Sequence, residues 1–257
     1  MVTIGDVELA LLLTTLAGLS TGIGSTIAYF IKKPKTIYLS FFLGLSAGVM
    51  IYVSFVELLF GAIISVGQVA GVTAFFGGVL LILIIDLIVP EEQNPHHCIG
   101  VCTGEDVDKN LMRTGTLTAL AIAIHNFPEG LATFGTALSD VQLGVIIALA
   151  IAIHNIPEGM SVSIPIFYAT NNKNKAFKYS FFSGVAEPIG AVIGFLILMP
   201  FLSESVLAYL LAFVAGIMVY ISIDKLLPVA QNFGDTRTVA FGVVLGMFIM
   251  AVSLIML

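Results

Sequence analysis

The chain has 257 residues, of which 58% are hydrophobic and only 10% charged, with a mean hydropathy of +1.08. Soluble domains carry about a quarter charged residues, so this composition excludes a water-soluble domain and points to an all-α integral membrane protein. The net charge of −6 says little in itself, because the placement of Lys and Arg, not their total, orients a membrane protein.

Apolar stretches of about 20 residues, enough to cross a bilayer, can be laid off eight times. Span 1 is expected over 9–31, with Gly18, Gly22 and Gly24 forming a close helix-packing surface. It is too long for a removable signal peptide and lacks the basic leader and cleavage site of one. Span 2, over 37–60, carries Glu57 in the stretch SFVELLF. Span 3, over 69–89, is again glycine-rich (Gly71, Gly77, Gly78) and ends near Asp86, which reads as interfacial. The longest connection follows, a cytoplasmic loop over about 90–113 with His96, His97, Cys98 and Cys102 among several acidic residues. Its spacing matches no standard structural zinc site, which leaves either transient metal capture or a solvated loop. The two cysteines would face a reducing compartment, so no structural disulfide is expected. Spans 4 and 5, over 114–137 and 142–168, carry a duplicated phrase taken up below. Span 6, over 177–200, contains GVAEPIG, with Glu187 directly before Pro188. Span 7, over 205–227, ends in Asp224 beside Lys225; Asp224 nearly matches Glu57 in the second repeat and reads more readily as a solvated charge than as a ligand, gate or pathway residue, and span 8 covers 237–257. No soluble domain fits between the spans, so residues 1–257 form one transmembrane domain.

With the N-terminus outside, the connections after spans 1, 3, 5 and 7 and their helix ends hold every basic residue: Lys32, Lys33, Lys35, Lys109, Arg113, Lys173, Lys175, Lys178, Lys225 and Arg237. That bias supports the count of eight and puts both termini outside.

The duplicated phrase is ALAIAIHNFPEG from Ala119 and ALAIAIHNIPEG from Ala148, at an offset of 29. Each copy sets His, Asn and Glu in apolar helix. His125 and Glu129 stand one turn apart on one face, as do His154 and Glu158, with Asn126 and Asn155 beside them. Imidazole, amide oxygen and carboxylate suit Zn²⁺, Fe²⁺, Mn²⁺ or Co²⁺, whereas Cu(I) would call for sulfur ligands. A hydrogen-bonded polar seam is the plainer reading, but ionisable groups at bilayer depth mark function by default. Pro128 and Pro157 should kink or break each helix beside these ligands, freeing the Ile124 and Ile153 carbonyls toward a hydrated path. Glu187 is the further carboxylate expected to converge on the metal, and Glu57 is expected on the pathway. A weaker repeat aligns AGVMIYVSFVELLF from Ala47 with AGIMVYISIDKLLP from Ala215 at an offset of 168. Since spans 2 and 7, and likewise 4 and 5, cross in opposite directions, both repeats are inverted, a plan common in secondary transporters. No GxxxxGK[ST] or HExxH motif is present, which removes ATP hydrolysis and the commonest zinc-hydrolase chemistry.

HNFPEG and HNIPEG on adjacent spans, an AEP-containing span 6 and eight spans with both termini outside resemble the ZIP (ZRT/IRT-like) family of divalent-metal transporters, over the whole chain and most closely its prokaryotic zinc-uptake branch. The resemblance implies a 3+2+3 bundle and a binuclear site. One sub-site would use His125, Glu129, His154 and Glu158; the other would use Asn126, Glu129, Asn155, Glu158 and Glu187, with the two motif glutamates bridging. It also implies inward movement of metal by an elevator-like displacement, and an entry-path role at Glu57's place. Phe60 departs from the proline many relatives carry there.

The expected function is therefore a facilitator carrying Zn²⁺, with Fe²⁺, Mn²⁺, Co²⁺ and Cd²⁺ also accepted, into the cytoplasm across the plasma membrane of a prokaryote. The metal is substrate, and no cofactor is expected. Expected partners are divalent ions and membrane lipid, with a homodimer left open and no nucleic acid or nucleotide. A metal-selective channel, which needs no alternating exposure, is the nearest alternative; a membrane-embedded metalloenzyme is the distant one. Because ligands must be deprotonated to bind metal, acid is expected to inhibit uptake.

Overall fold

The computed structural model describes residues 4–30, 35–88, 104–198 and 203–256, and every regular element among them is helical. Helix α1 (Ile4–Phe30) is followed by α2 (Thr36–Val53), which runs through a π-helical turn (Ser54–Leu59) into α3 (Phe60–Val66). Next come α4 (Gln68–Ile88), α5 (Gly104–Ser139), α6 (Val141–Thr170) and α7 (Lys173–Ile193), the last extended by a π-helical turn (Gly194–Leu198). Helix α8 (Glu204–Ile221) passes through a third such turn (Ser222–Leu226) into α9 (Leu227–Phe233), and α10 (Thr236–Met256) follows. Polar caps start three of them. Asn172 and Ser203 accept from Lys175 and Val206 at the head of α7 and α8. Asp235 accepts from the Thr238 and Arg237 amides and the Thr238 hydroxyl at the head of α10, and these bonds, the Thr238 amide first, hold its carboxyl below the usual range.

Seven of these units are long and apolar enough to cross a membrane: 6–27, 36–66, 68–88, 144–170, 173–196, 205–233 and 236–256. Helix α5 is the eighth candidate. It is the longest helix, at 36 residues, but falls short in apolarity because of its Thr, His, Asn and Glu content. Most of those groups are turned inward: Thr114, Thr118, His125, Asn126, Glu129 and Thr133 are buried, in a helix packed against α1, α6, α7 and α8, while Thr116 is exposed and bonds its own helix through the Met112 carbonyl.

The helices sort into two bundles. Helices α1, α5, α6 and α7 pack on one another; α2 with α3, α4, α8 with α9, and α10 pack together in the second group. The two meet along α2–α6 and α5–α8, where Leu111 and Ala121 of α5 and Met160 and Ile164 of α6 join a core with Leu39, Leu43, Ile217 and Ile221 of the second bundle.

Glycines set the closest approaches, and they recur at fixed offsets. A Cβ at Gly48 would strike the Val243 carbonyl and one at Gly216 the Phe75 carbonyl; both partners are shifted by 168. Gly246 on Leu45 and Gly78 on Phe213 repeat the relation. In the first bundle Gly130 sits on the Glu187 carbonyl as Gly159 sits on that of Thr21, and Gly190 on Phe127 as Gly24 on Ile156, at offsets of 166 and 29. The π-helical turns at Ser54 and Ser222 also differ by 168. The pairs α2 and α8, α4 and α10, α1 and α7, and α5 and α6 therefore occupy corresponding places.

The prolines do not interrupt the helices. Helix runs continuously through Pro128, Pro157, Pro165 and Pro188, and the irregular turns lie elsewhere, in spans 2, 6 and 7. Packing against neighbouring helices tolerates the single backbone bond each proline removes. The loop calls on His96, His97, Cys98 and Cys102 lie outside the described residues, as do Lys32 and Lys33.

Candidate metal centre

The duplicated phrase folds as two helices side by side, so each His reaches the other copy's Glu. His125 Nε2 lies 3.1 Å from Glu158 Oε2, and His154 Nε2 lies 2.8 Å from Glu129 Oε1. All four side chains are buried, as are Asn126, Asn155 and Glu187. Gly130 and Gly190 let α5 and α7 touch backbone to backbone, which brings Glu187 against the HNFPEG turn. There Asn155 donates from Nδ2 to Glu187 Oε2 at 2.8 Å and to the Ala17 carbonyl at 3.0 Å, and Asn126 donates to the Ser183 carbonyl at 3.2 Å.

These bonds use the amide donors and leave acceptors over. Buried Asn126 Oδ1, Asn155 Oδ1, Glu129 Oε2, Glu158 Oε1 and Glu187 Oε1 accept no hydrogen bond, and Nδ1 of both histidines is likewise unpartnered. Buried polar atoms without partners cost free energy. Five oxygens and two imidazole nitrogens with lone pairs to give match the chemistry of a borderline divalent cation. Among the described residues, no three His, Cys, Asp or Glu side chains already surround one point as a closed shell would require. The two His–Glu pairs hold them instead, so a metal would have to replace these contacts.

Glu57 stands in the first π-helical turn, half-buried, with Oε2 unpartnered. It lines a cavity of about 290 Å³ whose floor includes Glu129 and His154 and whose walls are Gly61 and Ser65 of α3, Thr136 of α5, Ile147 of α6 and Leu207 and Leu211 of α8. These wall residues lie near the connections at Gly67, Asp140 and Ser203, the end of the molecule opposite the basic residues. The cavity thus runs between the two bundles from that end to the His–Glu pairs.

Asp86 and Asp224, expected as an interfacial and a solvated charge, are both bonded to Lys225. Lys225 Nζ contacts Asp86 Oδ2 at 2.7 Å and Asp224 Oδ2 at 2.8 Å, because the third π-helical turn (Ser222–Leu226) directs Lys225 inward, where its side chain is 8% exposed. The offset of 168 puts Lys225, not Asp224, in Glu57's place, a correspondence available in the repeat itself. Ser46, whose hydroxyl donates to the Pro157 carbonyl at 2.6 Å, left no such signal: its partner is a main-chain atom 111 residues away.

A protein-family model described as ZIP Zinc transporter matches residues 88–254. The chain is 54% identical to a protein of Oceanobacillus iheyensis named Zinc transporter ZupT, over 97% of this chain and 98% of the relative. Proteins of the same name from Clostridium perfringens and Nitratidesulfovibrio vulgaris are 52% and 51% identical, covering 98% and 100% of this chain and 96% and 99% of theirs.

Proposed function

The chain belongs to the ZIP zinc transporter family, and from that premise we propose that it carries zinc, and with it other divalent transition metals, through a two-ion site on α5, α6 and α7. As a member of a transporter family it is a multi-pass membrane transporter and not an enzyme, with the metal as substrate. The observation that carries the site is the reciprocal pairing of His125 with Glu158 and His154 with Glu129, ringed by unpartnered buried acceptors. In this reading His125, Glu129, His154 and Glu158 hold one ion; Asn126, Asn155 and Glu187 hold a second, sharing the two motif glutamates. Shared carboxylates offset the cost of a dication in low dielectric, and two adjacent sub-sites let ions enter without being trapped.

The bundle is a 3+2+3 inverted repeat with both termini outside and metal moving into the cytoplasm of a prokaryotic cell. Support comes from the recurring glycine contacts and from the placement of Lys and Arg at one end. Glu57 is the entry residue, since it shares one cavity with Glu129 and His154. A cavity at one end and a packed apolar core at the other favour a carrier over an open channel.

Zinc bound per purified chain at equilibrium tests the two-ion assignment. Wild type should hold two ions, Glu187→Ala one, and Glu129→Ala fewer still. Two ions bound by a folded Glu187→Ala chain would remove Glu187 from the ligand set.

A further inference from the structure

Among the described residues, polar contacts join the two bundles on the side of the site away from the cavity at three places. At mid-span the Ser46 hydroxyl of α2 donates to the Pro157 carbonyl of α6. Nearer the basic end the Tyr168 hydroxyl of α6 donates to the Lys35 carbonyl at 2.7 Å, and Arg113 Nη2 of α5 lies 3.7 Å from Asp86 Oδ1 of α4. The last contact is part of a larger cluster. Asp86 also accepts from Lys225 and, at 3.4 Å, from the Tyr220 hydroxyl, and Lys225 also contacts Asp224. Arg113 is the member of this cluster that comes from the α1–α5–α6–α7 bundle.

The opposite end offers a direct comparison, because the internal correspondence assigns each position a counterpart there. Lys225 corresponds to Glu57, Asp86 to Leu254 at the same offset of 168, and Arg113 to Gln142 at the offset of 29. Leucine and an uncharged amide cannot build an ion pair, and Glu57 lines the open cavity instead. The charged triad is present where the bundles are closed, and its counterparts are uncharged or unpaired where they are apart.

We infer that the Arg113–Asp86–Lys225 cluster is a latch that clamps the two bundles at the basic end and so holds the cavity open at the other. The inference rests on the carrier reading above. For the site to open at the basic end, the core around Leu111, Ile164, Leu39 and Leu43 must part and Arg113 must leave Asp86. Removing one partner of a partly buried pair is costly to the arrangement that contains it, so neutralising either residue shifts the population toward the arrangement in which they are already separated.

The test uses thiol accessibility without metal. In a chain with Cys98 and Cys102 replaced by serine, Ile164→Cys reports on the basic-end core, where that position is fully buried, and Ser65→Cys reports on the exposed cavity wall. Modification by N-ethylmaleimide in detergent is timed at each position. Arg113→Gln and Asp86→Asn should each speed the reaction at position 164 by roughly tenfold and slow it at position 65, as a shifted two-state population requires. The double variant should do no more than the stronger single one, because both remove the same contact, and Arg113→Lys should return rates close to wild type. Unchanged rates at both positions, or rates that rise together as in a loosened fold, would overturn the latch. Absence of zinc uptake by the wild-type chain would overturn the carrier reading and the latch with it, whereas unchanged thiol rates in a chain that does take up zinc would overturn the latch alone.

Discussion

Glu129 and Glu158 each accept from the histidine of the other helix with one oxygen and leave the second oxygen bare. A carboxylate so placed can bridge two ions, whereas each histidine has one remaining nitrogen to give. Loss of a motif glutamate should therefore cost more than loss of Asn126 or Asn155, whose donors also bond the Ser183 and Ala17 carbonyls. Zinc affinity measured by competition with a fluorescent chelator should fall at least 100-fold for Glu158→Ala, about 2.7 kcal/mol, and less for Asn126→Ala. Equal losses would contradict the bridging role. Protons compete for the same lone pairs, so initial uptake rates should fall as pH is lowered from neutral to about 5.5. Rates that hold or rise would remove ligand protonation from the account.

At the scale of elements, close helix pairs depend on glycines placed where a carbonyl of the partner comes nearest. Gly48→Ala and Gly216→Ala should each lower the thermal unfolding midpoint, by overpacking of about 1–3 kcal/mol. Gly61→Ala, where nothing lies within 4 Å, should leave it unchanged or raised. Equal behaviour of all three would mean that these contacts do not set the packing. The sequence made most of the elements legible, since hydropathy, basic-residue placement and the repeats all act locally. It marked Pro128 and Pro157 but not that helix continues through them, because that depends on neighbours that a single helix does not reveal. It also showed the motif residues and their common face, but not the exchange of partners between copies, because that requires knowing that α5 and α6 lie side by side. Lys225 was legible through the repeat; Ser46 and the Ala17 carbonyl were not, since a main-chain acceptor carries no residue signature.

For the whole molecule, two bundles meet around one site, open toward the neutral end and closed by apolar packing and ion pairs toward the basic end. That asymmetry between corresponding halves is what a carrier needs, because one repeat-related arrangement can exchange for the other while the site stays intact. The central claim is that metal crosses through the duplicated His–Glu pairs. It is tested most directly by zinc entry into liposomes loaded with a zinc-sensitive dye, comparing wild type with Glu129→Ala and Glu158→Ala, each verified as folded. The account predicts a zinc-dependent signal for wild type that both substitutions abolish; full transport by both variants would mean that the pairs are structural and that the ion path lies elsewhere.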